Sequence, residues 1–168
     1  MIKHIAAAAA LAILSSAAVA ADRAPIYVGA DLGTTKIDNI GDRSNSYGIF
    51  AGYQLTPQFA IEAGYRRLAD YDLSVGTARG NVTLDQTALS VVGTLPLSNA
   101  FSVYGRLGYN HLKAKASLAG ATGSDNESGV LYGIGLGYAF TDTVSGRVEI
   151  QRPSSDSTNL SAGIAFAF

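Results

Sequence analysis

The chain has 168 residues, of which 48% are hydrophobic and only 15% charged, and its formal net charge is −1. It contains no Cys, no Trp and two His, His4 and His111. These numbers leave no basic excess to neutralise nucleic-acid phosphates, no thiol or disulfide chemistry and no multi-histidine metal centre. No catalytic, cofactor-binding or metal-binding set is therefore expected, and no nucleic-acid partner. An average soluble domain is about 25% charged, so the chain is too apolar for that class. Yet no stretch beyond residue 21 stays apolar for the roughly 18 residues that a membrane helix requires.

Residues 1–20 read as a secretory signal peptide. Lys3 gives the positive start, Ile5 to Leu14 an apolar run, and Ala18-Val19-Ala20 a small-residue cleavage site. The expected division is a cleaved leader over 1–20 and one β-barrel domain over 21–168.

From Ile26 onward the hydrophobic pattern has period two. In Ile26-Tyr27-Val28-Gly29-Ala30-Asp31-Leu32-Gly33 one parity is Ile, Val, Ala and Leu, which is a strand pattern. The spacing predicts eight strands, over 26–36, 46–56, 58–68, 82–95, 100–112, 130–141, 143–152 and 158–168. Pro25, Pro57, Pro96 and Pro153 fall between strands or at their ends, where a missing N–H does no harm. Tight turns at 56–58, 96–99 and 141–143 alternate with longer polar connections at 37–45, 69–81, 113–129 and 153–157. Short turns on one side and long loops on the other are the pattern of an outer-membrane barrel.

The two parities decide which face meets lipid. The apolar parity, taken over 26–34, 49–55, 59–65, 87–95, 101–109, 130–140, 144–150 and 160–168, carries no charge. The other carries Asp31, Glu62, Arg66, Arg106, Arg147 and Glu149 on a Gly-rich background without Lys. A soluble barrel that carries lipid would need a surface that is about 25–35% charged. The sparse charges suit a crowded lumen instead, with the apolar parity facing the membrane. A closed barrel follows, because an unpaired backbone group in lipid costs several kcal/mol. The expected fold class is all-β: an eight-stranded antiparallel up-and-down transmembrane barrel whose lumen side chains nearly fill.

The segments Ile49-Phe50-Ala51-Gly52-Tyr53-Gln54-Leu55-Thr56-Pro57, Phe59 through Tyr65, Val103 through Gly108, Tyr138-Ala139-Phe140-Thr141, Arg147-Val148-Glu149 and the final Ala165-Phe166-Ala167-Phe168 together resemble the outer-membrane protein A barrel family. The resemblance spans nearly the whole chain after the leader. It implies a Gram-negative outer membrane and, at Glu62 and Arg147, the family's channel-blocking ion pair. Arg106 and Glu149 match further lumen charges. Val92 and Gly137 stand where the family has a Lys and a Glu, which casts doubt on gating by partner exchange. Larger members carry a peptidoglycan-binding domain after the barrel; a barrel without that activity is expected here.

The expected function is structural or surface-interacting, with at most a narrow, charge-plugged pore. A lipid A-modifying enzyme is the first alternative. Its histidine could only be His111, whose neighbours Asn110 and Leu112 supply no serine, so no catalysis is expected. A soluble lipid carrier is the second. Gly133 through Gly137 imitates a phosphate loop but reads as inward strand glycines. The expected partners are outer-membrane lipids and lipopolysaccharide, held by an outward cationic collar of Arg67, His111, Lys113, Lys115 and Arg152. Phe166 and Phe168 would be read by the outer-membrane insertion machinery. A monomer is expected.

Overall fold

The computed structural model describes residues 25–37, 43–75, 78–118 and 121–168. The leader falls outside them. Eight strands follow in chain order: β1 (Ile26–Ile37), β2 (Arg43–Gln54), β3 (Phe59–Val75), β4 (Ala78–Pro96), β5 (Phe101–Leu118), β6 (Ala121–Ala139), β7 (Val144–Ser154) and β8 (Ser157–Ala167). Each pairs antiparallel with its neighbours, and β1 closes on β8 from Tyr27–Ala167 to Ile37–Ser157, giving one closed barrel. No edge strand remains within the apolar band, as a bilayer demands.

Polarity is inverted relative to a soluble protein. Leu32, Ile49, Leu107 and Tyr109 lie on the outer wall at 71%, 65%, 63% and 61% exposure, whereas Glu62, Glu149 and Asn159 are buried inside at 2%, 1% and 0%. Strand parity produces this directly, because successive side chains point to opposite faces.

Two of the predicted loops are ladder instead. The β3–β4 hairpin stays paired from Phe59–Gly93 up to Val75–Ala78, and β5–β6 from Phe101–Tyr138 up to Leu118–Ala121. The expected connections at 69–81 and 113–129 are thus largely strand. The connection at 153–157 shrinks to a two-residue turn at Ser155 and Asp156. The reason is environmental. Above the membrane both faces meet water, so the hydrophobic alternation that marks a strand disappears while backbone pairing continues. β4 and β5 remain paired to Gly80–Leu118, so β3 to β6 stand above the rim as one sheet. β2 pairs with β3 only as far as Arg67, and β6 joins β7 from Tyr132.

On the opposite side the three tight turns share one device. Thr56, Ser98 and Thr141 accept hydrogen bonds through their hydroxyl oxygens from the backbone N–H of Phe59, Phe101 and Val144, at 3.0, 3.1 and 3.0 Å. A side-chain oxygen that satisfies an N–H three residues on fixes the turn locally.

Candidate functional site

The lumen is built by cross-strand fit. Tyr27 lies opposite Gly52, Phe50 opposite Gly29, and Tyr104 opposite Gly135. A Cβ at any of these glycines would collide with the facing ring. Glycine here makes room for a side chain that crosses a narrow interior.

The six lumen charges form one chain of alternating sign. Arg66 grips Asp31 with two parallel bonds, Nε to Oδ1 at 3.0 Å and Nη2 to Oδ2 at 2.6 Å. Arg147 Nη2 lies 3.6 Å from that Asp31 Oδ2. Arg147 also donates to Glu62, Nη1 to Oε2 at 2.8 Å. Arg106 donates to Glu62 Oε1 at 2.6 Å through Nη2 and to Glu149 Oε1 at 2.7 Å through Nε. Its remaining nitrogen donates to Ser90 Oγ at 2.9 Å. The Tyr27 and Tyr104 hydroxyls donate to Glu62 at 3.1 Å and Glu149 at 2.9 Å. The Arg147 guanidinium carbon sits 3.3 Å from the centre of the Phe50 ring, a cation–π contact. Three acids and three bases balance, so no net charge is buried.

The family's extra partners are absent at Val92 and Gly137, yet each member of the Glu62–Arg147 pair has another partner within this network. Glu62 has Arg106, and Arg147 has Asp31. Val92 and Gly137 help to line a cavity of about 340 Å³ on the side of the tight turns, beneath the ion pairs. A small void of about 20 Å³ lies among Asp31, Glu62, Arg66, Arg106 and Arg147.

Two further layers lie above the charges. An amide layer holds Asn159, whose Nδ2 donates to Ser46 Oγ at 2.7 Å and Thr35 Oγ1 at 3.0 Å, while Arg66 Nη1 donates to its Oδ1 at 3.2 Å. Gln86, Asn110 and Gln151 are buried beside it. Two residues further along three strands come Leu68 after Arg66, Leu112 after Asn110 and Pro153 after Gln151, all buried. This apolar layer escaped the sequence reading. Leu68 is the extra residue of a bulge between Arg67 and Ala69 and keeps the inward parity of Arg66.

The cationic residues of the rim do not form a ring. Arg67, Asp85 and Lys113 share one cross-strand row, and Arg67 Nε lies 2.9 Å from Asp85 Oδ1. Asp85 carried no signal in the sequence because its pairing with Arg67, 18 residues away, is set by the β3–β4 register. Arg67 also approaches Asp70 at 3.8 Å and donates to the Tyr47 hydroxyl at 3.4 Å. Lys113 and Lys115 are exposed on β5. Arg152 stands apart on β7, donating to the Ser155 carbonyl at 2.8 Å. His111 has a partner that sequence spacing hid. Its Nδ1 lies 2.8 Å from Ser128 Oγ, because the β5–β6 register places the two residues directly opposite. Among the described residues no carboxylate hydrogen-bonds this ring, and none forms a metal-binding cluster. Phe166 lies on the outer wall, and the Phe168 N–H donates to the Ile26 carbonyl at 2.9 Å.

Comparison with known proteins agrees with this architecture. The chain is 28% identical to outer membrane protein A of Salmonella typhi over 190 residues, covering 98% of this chain and 54% of that protein. It is 26% identical to the Escherichia coli O157:H7 protein of the same name, covering 98% and 54%. The chain therefore spans about half the length of these relatives. Among solved structures, Neisserial surface protein A superposes with a TM-score of 0.71 at 20% identity, covering 88% of this chain and 100% of that one. Ail of Yersinia pestis, in complex with the heparin analogue sucrose octasulfate, gives 0.59 at 19% identity, covering 87% and 98%. The family model for the outer membrane protein beta-barrel domain matches residues 5–168, and the chain belongs to that family.

Proposed function

We propose that the protein is a non-enzymatic outer-membrane barrel whose lumen is plugged and whose extracellular rim engages lipopolysaccharide. The observation that carries the plug is the neutral chain of six charges that links β1, β3, β5 and β7 across the lumen, with an apolar layer above it. The rim reading rests on chemistry. Arg67, Lys113 and Lys115 extend the outward parity of their strands just above Tyr65 and Tyr109, where lipid A phosphates lie, and phosphate suits an Arg fork or a Lys point charge. His111 and Arg152 flank this cluster. Asp85 tempers the charge and orients Arg67. The 1–20 leader directs export, and Phe166 and Phe168 present the insertion signal.

The test replaces Arg67, Lys113, Lys115 and Arg152 together with Gln and measures lipopolysaccharide retention against salt. A loss of the salt-sensitive fraction is expected. Equal retention by variant and parent at every salt concentration rejects the rim assignment.

A second reading is favoured by the His111–Ser128 contact, a base and a hydroxyl within reach of one another as in a lipid A acyl hydrolase. Three features count against it. The ring has no carboxylate to orient it among the described residues. The two residues face each other in a regular ladder, whose amides are committed to strand pairing rather than free to hold an oxyanion. The pair serves equally well as a cross-strand polar contact at the membrane boundary.

A further inference from the structure

The lipid-facing wall is not uniform. A recess of about 660 Å³ runs across β8, β1, β2, β3 and β4. Its floor is made by small side chains: Ala51 and Ala63 stand directly opposite one another, with Val28 opposite Ala51. Phe166 borders it toward the tight turns, and Tyr65 and Thr87 at the extracellular end. Further along the same cross-strand row, past Ala63, come Leu89, Tyr109 and Val130, whose larger side chains fill the wall. Two residues beyond Tyr65 on β3 is Arg67, and beside Thr87 across the ladder is His111.

We propose that this recess seats one acyl chain of a lipopolysaccharide molecule whose phosphate lies over Arg67 and Lys113. The inference rests on the rim reading above and adds the hydrophobic half of the same site. An open apolar wall in a bilayer is covered by whatever lipid is adjacent, so a recess alone selects nothing. Here the recess ends beneath a cationic rim. A lipid that carries phosphate above and chains below meets both features at once, and an acyl chain in a preformed slot loses less freedom than one against a smooth wall. Arg67 is already positioned by Asp85 and Tyr47, so binding would not have to order it.

Ala51→Leu with Ala63→Leu fills the floor from the lipid side and leaves the lumen untouched. Leu on a lipid-facing position suits the bilayer, and heat-modifiable gel migration verifies folding; Ala51→Val with Ala63→Val is the milder pair if the first fails that check. Native mass spectrometry after mild-detergent extraction counts lipopolysaccharide per barrel in the parent, the filled variant and the four-fold Gln variant. The proposal expects the filled variant to lose tightly held lipopolysaccharide at least tenfold, at low and at high salt. Parental retention in the filled variant overturns it, and a salt-dependent loss in the Gln variant in the same experiment would leave the rim reading standing. A parent that extracts as a dimer and becomes monomeric on filling would also overturn it, by assigning the recess to a second copy of the chain.

Discussion

Glu62 lies closer to Arg106, at 2.6 Å, than to Arg147, at 2.8 Å. The partner that family resemblance would pick for Glu62 is thus one of two, and each arginine reaches a second acid: Arg147 reaches Asp31, which Arg66 also grips, while Arg106 holds Glu149 by itself among the six lumen charges. Replacing Arg106 by Met leaves Glu149 with the Tyr104 hydroxyl and no arginine and takes one of two arginines from Glu62, whereas replacing Arg147 leaves Glu62 on Arg106 and Asp31 on Arg66. Breaking a buried pair costs about 3–5 kcal/mol. Arg106→Met should fall at the upper end of that range and Arg147→Met at or below the lower end. Urea unfolding in lipid vesicles, followed by gel migration, ranks the two; the reverse order would contradict the network.

The glycine–aromatic pairs make a packing prediction. Gly52→Val pushes into the Tyr27 ring and Gly135→Val into the Tyr104 ring, and both rings hold carboxylates of the network. Overpacking typically costs about 1–3 kcal/mol. Gly105 faces outward with nothing near a Cβ, so Gly105→Val should leave stability nearly unchanged. The comparison of the three in the same unfolding assay isolates the lumen effect.

The turns offer a third test. Thr56→Ala, Ser98→Ala and Thr141→Ala each remove the acceptor of one backbone N–H. Water can replace it at an exposed turn, so each single loss should be small, within the roughly 0.5–1.5 kcal/mol of an ordinary hydrogen bond. The triple variant should fold more slowly into vesicles than any single one, measured as the rate at which the heat-modifiable band forms. An unchanged rate would show that these hydroxyls do not guide hairpin formation.

A fourth concerns the histidine. His111→Ala and Ser128→Ala should each leave lipid A unchanged by mass spectrometry of whole cells that express the protein. Appearance of fully acylated lipid A in either variant, where the parent shows a deacylated form, would establish the hydrolase reading instead.

How much of this could be read in advance depended on where a residue lies relative to the bilayer. Inside the apolar band, parity is unambiguous, because lipid and lumen impose opposite chemistry on alternate residues. The eight strands, the closed topology and the inward placement of Asp31, Glu62 and Arg147 all rest on it. Beyond the band that contrast vanishes. The β3–β4 and β5–β6 extensions therefore looked like loops. Leu68 keeps the inward parity of Arg66, but as an apolar residue at the last position of its predicted strand it gave no sign of a layer drawn from three strands. Ser128 was hidden because its meeting with His111, 17 residues apart, is set by hairpin register rather than by local spacing. Which oxygen of Glu62 meets which arginine is likewise a property of the closed barrel and not of any one strand.

The plug itself is tested by single-channel recording in planar bilayers. Charge and apolar layers act in series, so opening one should not open the lumen. The parent should show no sustained conductance, and neither should Glu62→Ala alone, since Leu68, Leu112 and Pro153 still close the path. Glu62→Ala combined with Leu68→Ala and Leu112→Ala should produce discrete openings. Steady conductance in the parent would contradict the account.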